Sequence, residues 1–244
     1  EEEPRVVREI QGVALDNARI SVASASGGEP LEFWVDLVGG QKTGFFLDQA
    51  ANVQLAVQRL PRPEAGKPVR ILDLCCYVGQ WGAQLARHYR KLGFEVHVTS
   101  VDASAKALEL AKRNVELQGA RCETIKADVL HDLAGVAASS FDVVISDPPA
   151  LIKGRKDIPQ GTHAYLQLHT QAMRLVTDTG AVVCCSCSAL LEEEEFVRTL
   201  AKASGRNRRR IRWIGRGAQA PDHPVLAEFP EGRYLKAWIG VVSS

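Results

Sequence analysis

The chain has 244 residues, 45% of them hydrophobic and 24% charged, the balance of a soluble globular protein with one sizeable core. No run of about 18 apolar residues exists, which argues against a membrane span, and the acidic opening EEEPRVVREI does not read as a signal peptide. The net charge of +1 singles out no class of partner, and six cysteines clustered in apolar strings predict free thiols in a reducing, cytoplasmic setting.

Two strands are expected first, ARISVAS (18–24) and LEFWVDLV (31–38), on either side of the turn-rich ASGGEP. QKTGFFLDQ (41–49) places a glycine in a turn and leads into a helix ending near residue 60, and PRPEAGKP (61–68) is a linker. VRILDLC (69–75) predicts a strand, 80–92 a helix and EVHVTSVD (95–102) a strand. SAKALELAKRNVELQG (104–119) predicts a helix, with Ser104 as N-cap and Gly119 just past its end. RCETIKAD (121–128) and FDVVISD (141–147) read as strands, HAYLQLHTQAMRLV (163–176) as a helix, and GAVVCCSCS (180–188) as a strand. ALLEEEEFVRTLAKAS (189–204) reads as a helix, and RRIRWIG (209–215) and YLKAWIGVV (234–242) as the closing strands. Strands alternating with helices imply a parallel sheet covered on both faces. The expected division is a small β-rich lead-in over residues 1–62, with a hairpin and a connecting helix, then an α/β domain over 63–244.

In an open α/β sheet, ligands bind beyond the carboxyl ends of the strands. The residues expected there are Asp73 with CCYVGQWG, then Asp102, Asp128, Asp147-Pro148-Pro149 and finally CSCS. A carboxylate closing the second strand suits the two hydroxyls of a ribose, and a glycine after the first lets backbone approach a ligand. A dinucleotide site wants G-x-G-x-x-G to seat a pyrophosphate, and only Gly79 and Gly82 remain of that pattern. That favours a nucleoside ligand without a pyrophosphate, S-adenosylmethionine, with Asp128 accepting from the adenine amine. Each Asp alone reads equally well as a helix cap or loop residue; the ordered set carries the argument.

CCSCS (184–188) holds half of the cysteines. Cys184 and Cys187 have C-x-x-C spacing, but along a strand their Cα atoms lie about 10 Å apart, on opposite faces. A disulfide needs roughly 7 Å or less, and Cys75, Cys76 and Cys122 do not complete a zinc set. No metal is therefore expected. Cys184 and Cys185 read as small hydrophobic filler inside the strand. Cys187 falls at the strand's carboxyl end beside the expected cofactor, and both filler and a chemical role stay open for it. A strand end leading into a helix N-terminus is a setting that lowers a thiol pKa, which the carboxylates of LEEEE oppose unless they face solvent.

VRILDLCCYVGQWG, VTSVDASAKALELAKRNVELQG, ISDPPALIKGRKD, CSCSAL and PDHPVLAEFPEGRYLKAW, with DLVGGQKTGFFLDQ upstream, resemble in order the motifs of bacterial 23S ribosomal RNA (cytosine-5)-methyltransferases. The resemblance runs from about residue 31 to the end of the chain. It implies a Rossmann-like class I methyltransferase fold with a mainly parallel seven-stranded sheet, and S-adenosylmethionine as cofactor. The cofactor residues it points to are Asp73, Tyr77, Gly79, Asp102, Ala103, Asp128, Val129 and Asp147. It also implies that Cys187 is the nucleophile, that Asp147 assists it at the base, and that Pro148, Pro149 and Lys153 meet the substrate. Three departures stand out: no counterpart of the family's N-terminal RNA-binding PUA domain, Ala50 where Arg is usual after LDQ, and Tyr77-Val78-Gly79-Gln80 in place of Tyr-Thr-Gly-Gly.

Residues 196–221 contain no Asp or Glu, but they hold Arg198, Lys202, Arg206, Arg208, Arg209, Arg210, Arg212 and Arg216. With Trp213 this stripe is what a phosphate backbone seeks, and Arg208, Arg209 and Arg210 are expected to meet RNA, 23S rRNA by the resemblance. A solvated surface turn is the plainer alternative. A homodimer stays open. Two rival functions remain: an exocyclic-amine methyltransferase acting on guanine or adenine, which needs no cysteine, and a non-catalytic RNA-binding module.

Overall fold

The computed structural model describes residues 17–131, 133 and 136–244, so the opening EEEPRVVREI and the first sixteen residues of the lead-in lie outside it. Strand β1 (Ala18–Val22) pairs antiparallel with β2 (Leu31–Val35), and the turn between them uses Gly27 and Gly28 at left-handed φ of 71° and 80°. Leu31, Phe33 and Val35 alternate onto one face and are buried in the same core as Val69 and Ile71. A short 3₁₀ turn (Leu47–Gln49) then runs into α1 (Ala50–Arg59).

The main sheet contains β3 (Val69–Leu74), β4 (Val96–Asp102), β5 (Arg121–Lys126), β6 (Phe141–Ser146), β7 (Val176–Ser186), β8 (Arg210–Gly217) and β9 (Lys236–Ser243), in the order β5-β4-β3-β6-β7-β9-β8. Neighbours from β5 to β7 are parallel, and β9 runs antiparallel to both β7 and β8. This is the expected Rossmann-like class I methyltransferase sheet. One face is covered by α1, α2 (Gln80–Lys91) and α3 (Ala105–Glu116), the other by α4 (Ile158–Leu175) and α5 (Glu193–Arg206). Strand β7 shows the division: Val183 and Cys185 enter the first core, Val182 and Cys184 the second, and both cysteines are fully buried. Among the described residues no helix is long and apolar enough to cross a membrane.

Three boundaries differ from the expected ones in ways that matter to the site. Helix α4 begins at Ile158 rather than at His163, because Pro159 sits in its first turn, where a missing N–H costs nothing. Strand β7 starts at Val176, paired with Phe141, and stops at Ser186, so Cys187 and Ser188 lie in the loop beyond it. Helix α5 starts at Glu193 rather than at Ala189, with Glu193, Glu194 and Glu195 in its first turn, where the helix dipole favours carboxylates.

The basic stripe divides. Arg209 is turned inward: its Nη1 donates to the carbonyls of Met173 (2.8 Å) and Val176 (2.6 Å), and Asp178 lies 3.9 Å from its Nη2. With 11% of its side chain exposed it ties α4 to β7, which corrects its expected place among RNA contacts. Arg216 forms a two-bond pair with Glu193, and Arg198 pairs with Glu194 and Glu195. Arg208 and Arg210 are exposed. Arg210 opposes Ser243 while Gly217 opposes Ala237, so these arginines lie about 23 Å along β8 from the sheet's ligand-binding end. Arg209→Ala is therefore expected to destabilise the fold by about 2–3 kcal/mol, from hydrogen bonds to a charged group. Arg208→Ala should stay within about 0.5 kcal/mol. Urea denaturation of the two variants checks the contrast.

Candidate active site

The carboxyl ends of the parallel strands open into a cleft of about 630 Å³. Its floor is the Cys75–Gly79 loop after β3. Cys75 and Tyr77 adopt left-handed φ of 59° and 49°, costing about 1–3 kcal/mol each for a non-glycine residue. The loop is held by Cys76 N–H donating to Val101 O (3.0 Å) and Tyr77 N–H donating to Asp102 Oδ2 (2.9 Å). Gly79 ends it at φ 76°, where a Cβ would stand 3.0 Å from the Ala111 Cα, so glycine lets α2 approach α3. Asp102 Oδ1 accepts from Ser104 N–H (2.9 Å), and Ser104 caps α3 as its sequence position predicts.

Tyr77, Asp102, Ala103, Asp128 and Val129 share one wall of this cleft. Asp128 accepts from Leu130 N–H (2.9 Å) and faces His131 (2.9 Å), and these two bonds hold its carboxyl below the usual range. Asp73 departs from the expected set. It is fully buried beneath the loop, where it accepts from Gly82 N–H (3.0 Å) and steadies the start of α2, and burial raises its pKa to about 8. Gly79 acts through the backbone, and Lys153 is exposed on the loop after β6; neither lies on the cleft wall.

Asp147 stands at the centre. Both of its carboxylate oxygens lie 2.9 Å from Gln49 Nε2, which donates to them, and Trp81 Nε1–H donates to Oδ2 (3.0 Å). Gln49 is itself oriented by Asn52, whose Nδ2 donates to Gln49 Oε1 at 2.7 Å. Burial pushes the Asp147 pKa up to about 6, against the pull of the Trp81 and Gln49 donors. Pro148 and Pro149 follow it on the cleft wall.

Cys187 lies beside this group at the end of the neighbouring strand, its thiol donating to Pro148 O at 3.7 Å. The sequence suggests a lowered thiol pKa; the structure reverses this. Burial, and next the charge of Asp147, raise it to about 11. Helix α5 begins only at Glu193 rather than directly after Ser188, and the buried setting of the sulfur decides the direction of the shift. Alkylation of Cys187 by iodoacetamide should therefore keep rising tenfold per pH unit beyond pH 9, and Asp147→Asn should speed it by removing a nearby negative charge. A plateau near the ordinary thiol pKa of 9.0 would contradict this environment.

The remaining wall was not foreseen. Lys42, Phe46, Asp48 and Gln49 come from the lead-in, and Tyr234 and Leu235 from the approach to β9. Asp48 Oδ2 accepts from Lys42 Nζ (2.8 Å) and from Tyr234 Oη (2.5 Å). Lys42 also lies 4.6 Å from the Phe46 ring centroid, and Phe46 packs edge-on against Tyr77. The signal lay in two of the strings that carry the resemblance, DLVGGQKTGFFLDQ and EGRYLKAW, whose polar residues have no role that spacing alone reveals.

Comparison with known proteins identifies the family and the fold. Residues 65–223 match a family model described as a methyltransferase domain. A curated relative, ribosomal RNA large subunit methyltransferase I of Pseudoalteromonas atlantica, is 35% identical over 210 residues, 84% of this chain and 50% of that protein. The chain thus spans about half the length of the curated relatives it matches. Among solved structures, a SAM-dependent methyltransferase from Streptococcus mutans superposes with a TM-score of 0.71 at 17% identity, covering 94% of this chain and 56% of that one. A Thermus thermophilus 16S rRNA N2 G1207 methyltransferase superposes with a TM-score of 0.62 at 17% identity, covering 96% and 53%. At such identities the superpositions establish the fold alone.

Proposed function

The chain belongs to the methyltransferase-domain family, and from that premise we propose that it methylates C5 of a cytosine in large-subunit ribosomal RNA, the bacterial 23S molecule. S-adenosylmethionine is the methyl donor and Cys187 the nucleophile. The observation that carries this reading is the Cys187 thiol on the wall of the same cleft as Asp102 and Asp147, just past the end of β7.

The residues fit the cofactor. Each oxygen of Asp102 accepts one backbone N–H, and a carboxylate offers about four acceptor sites, so capacity remains for two ribose hydroxyls. Asp128 suits the adenine amine, with Tyr77, Ala103 and Val129 as the adjoining surface. The cleft volume of about 630 Å³ lies in the range of small-molecule sites. When bound, S-adenosylmethionine supplies an electrophilic methyl group.

The chain's own residues must then make a poor nucleophile good. C5 of cytosine does not take a methyl group unaided. A Cys187 thiolate adding to C6 makes C5 enamine-like, and later loss of the C5 proton and of the thiolate restores aromaticity. Asp147 can donate to N3 as negative charge builds on the ring. With its pKa near 6, about one Asp147 in ten is protonated at pH 7, and a base that displaces water from the cleft raises that share.

An exocyclic-amine transfer is favoured by one observation, the Asp147-Pro148-Pro149 loop, and needs no thiol. The experiment that separates the two incubates 23S rRNA with the protein and cofactor and maps the methylated positions. In parallel, RNA carrying 5-fluorocytosine should trap a denaturation-resistant protein–RNA adduct, because fluorine at C5 does not leave as a proton. Methyl on an exocyclic amine with no adduct would move the assignment to the rival. Cofactor binding with no methylated RNA would leave only a binding module.

Of the basic stripe only Arg209 is not exposed, and Arg208, Arg210 and Arg212 are among its exposed residues. Replacing Arg208 and Arg210 with Ala should weaken RNA binding and flatten its log–log salt slope by about 0.7–0.9 per lost phosphate contact. An unchanged slope would assign the stripe to solvated surface.

A further inference from the structure

We propose that Tyr234, backed by Asp48, removes the C5 proton that cytosine-5 methylation must shed, an inference that rests on the cytosine-5 reading above. When nucleophile and methyl group add to opposite faces of a C5=C6 bond, the C5 hydrogen is left on the sulfur's face. The proton acceptor must therefore stand beside Cys187. Asp102 and Asp128 line the cofactor half of the cleft, and Asp147 is assigned to N3 of the base, in the plane of the ring rather than above C5. Lys42 presents an ammonium, which is a donor.

Tyr234 is held in the required place. The β7–β9 ladder ends with Ser186 opposite Lys236, so the chain before Lys236 runs on beside Cys187 and Ser188. The buried Lys236 ammonium fixes that arrangement, donating to Ser188 O (2.8 Å) and Tyr234 O (3.0 Å). Tyr234 and Cys187 both line the cleft. The Tyr234 hydroxyl donates to Asp48 Oδ2 at 2.5 Å, while Asp48 Oδ1 is buried with no hydrogen-bond partner among the described residues. Burial opposes ionisation of Asp48, but the bonds from Lys42 and Tyr234 outweigh it and hold the carboxyl ionised below the usual range. Burial, then the Asp48 carboxylate, push the phenol of Tyr234 well up.

A neutral phenol beside a carboxylate works as a relay. The C5–H bond breaks and its proton goes to the Tyr234 oxygen as the phenol's own proton passes to Asp48. The electron pair of the C5–H bond becomes the C5=C6 bond, and the C6–S bond breaks with its electrons leaving on the Cys187 thiolate. Asp48 then loses the proton to solvent. Tyr234 is the catalytic residue in this step and Asp48 the positioning one.

The test uses RNA with ordinary cytosine carrying tritium at C5, and cofactor with a labelled methyl group. Wild type should release tritium and turn over. Tyr234→Phe should slow turnover at least 100-fold and accumulate a Cys187–RNA adduct that holds both the new methyl group and the tritium. Asp48→Asn should show the same adduct and a larger C5 isotope effect than wild type, with cofactor binding intact in both variants. Tyr234→Phe that turns over at the wild-type rate overturns the relay. So does Tyr234→Phe that binds cofactor but forms neither product nor adduct, since Tyr234 then acts before the proton step. If wild type gives no adduct even with 5-fluorocytosine RNA, the cytosine-5 reading falls, and the relay with it.

Discussion

Cys187→Ala is expected to lose methyl transfer by a factor on the order of 10⁴–10⁶, the scale seen when an enzyme's covalent nucleophile is removed. Binding of S-adenosylmethionine should be unchanged, because the cofactor wall is built from Asp102, Asp128 and the Cys75–Gly79 loop rather than from the sulfur. The thiol is poised as a neutral group, its pKa raised to about 11 by burial and by Asp147. Near pH 7.5 only about one molecule in several thousand carries the thiolate, so adduct formation needs deprotonation coupled to substrate entry. Cys187→Ser should not rescue the rate, since a hydroxyl ionises far less readily than a thiol. Cys185→Ala is the control: that side chain is fully buried in the core that packs against α1, α2 and α3 and does not line the cleft, and its removal should leave the 5-fluorocytosine adduct intact. Single-turnover methylation with labelled cofactor, alongside calorimetry, measures both halves of the expectation. A Cys187→Ala protein that methylates at the wild-type rate would end the nucleophile assignment and favour amine transfer.

Asp102→Ala should weaken S-adenosylmethionine binding by about 10- to 150-fold. Charge-assisted hydrogen bonds contribute roughly 1.5–3 kcal/mol, and about 1.4 kcal/mol is a factor of ten. Two effects add here. The carboxylate offers its remaining acceptor sites to the ribose, and it also holds Tyr77 N–H at 2.9 Å, keeping a left-handed residue in place. Removing it lets the strained loop relax before any ligand binds. Asp102→Asn, which keeps one acceptor oxygen, should lose less. An unchanged dissociation constant in the alanine variant would place the ribose elsewhere.

The order of strands and helices was legible in the residues because periods of 2.0 and 3.6 are local properties of the chain. The burial of Cys184 and Cys185 follows from the same alternation. So does the presence of Asp102, Asp128 and Asp147 at the ligand end, since ligands in this class of sheet sit beyond the strand ends. Local pattern misjudged the ends of elements, placing the start of α5 at Ala189 rather than Glu193, and it held no measure of the burial that raises the Cys187 pKa.

What the tertiary structure alone decided depends on groups far apart in the chain. The pKa of Asp147 is set by burial and by Trp81 and Gln49, 66 and 98 positions away, and Tyr234 meets Asp48 across 186 positions. Arg209, one of three adjacent arginines in the sequence, is withdrawn from solvent by the carbonyls of Met173 and Val176. Asp73 ends a strand as Asp102 does, yet the loop above covers it. The amino-acid sequence by itself determined which residues stand at the ends of the strands. Which of them are covered, paired or open to a ligand was decided by packing, because desolvation and hydrogen bonding depend on what the fold brings against each group.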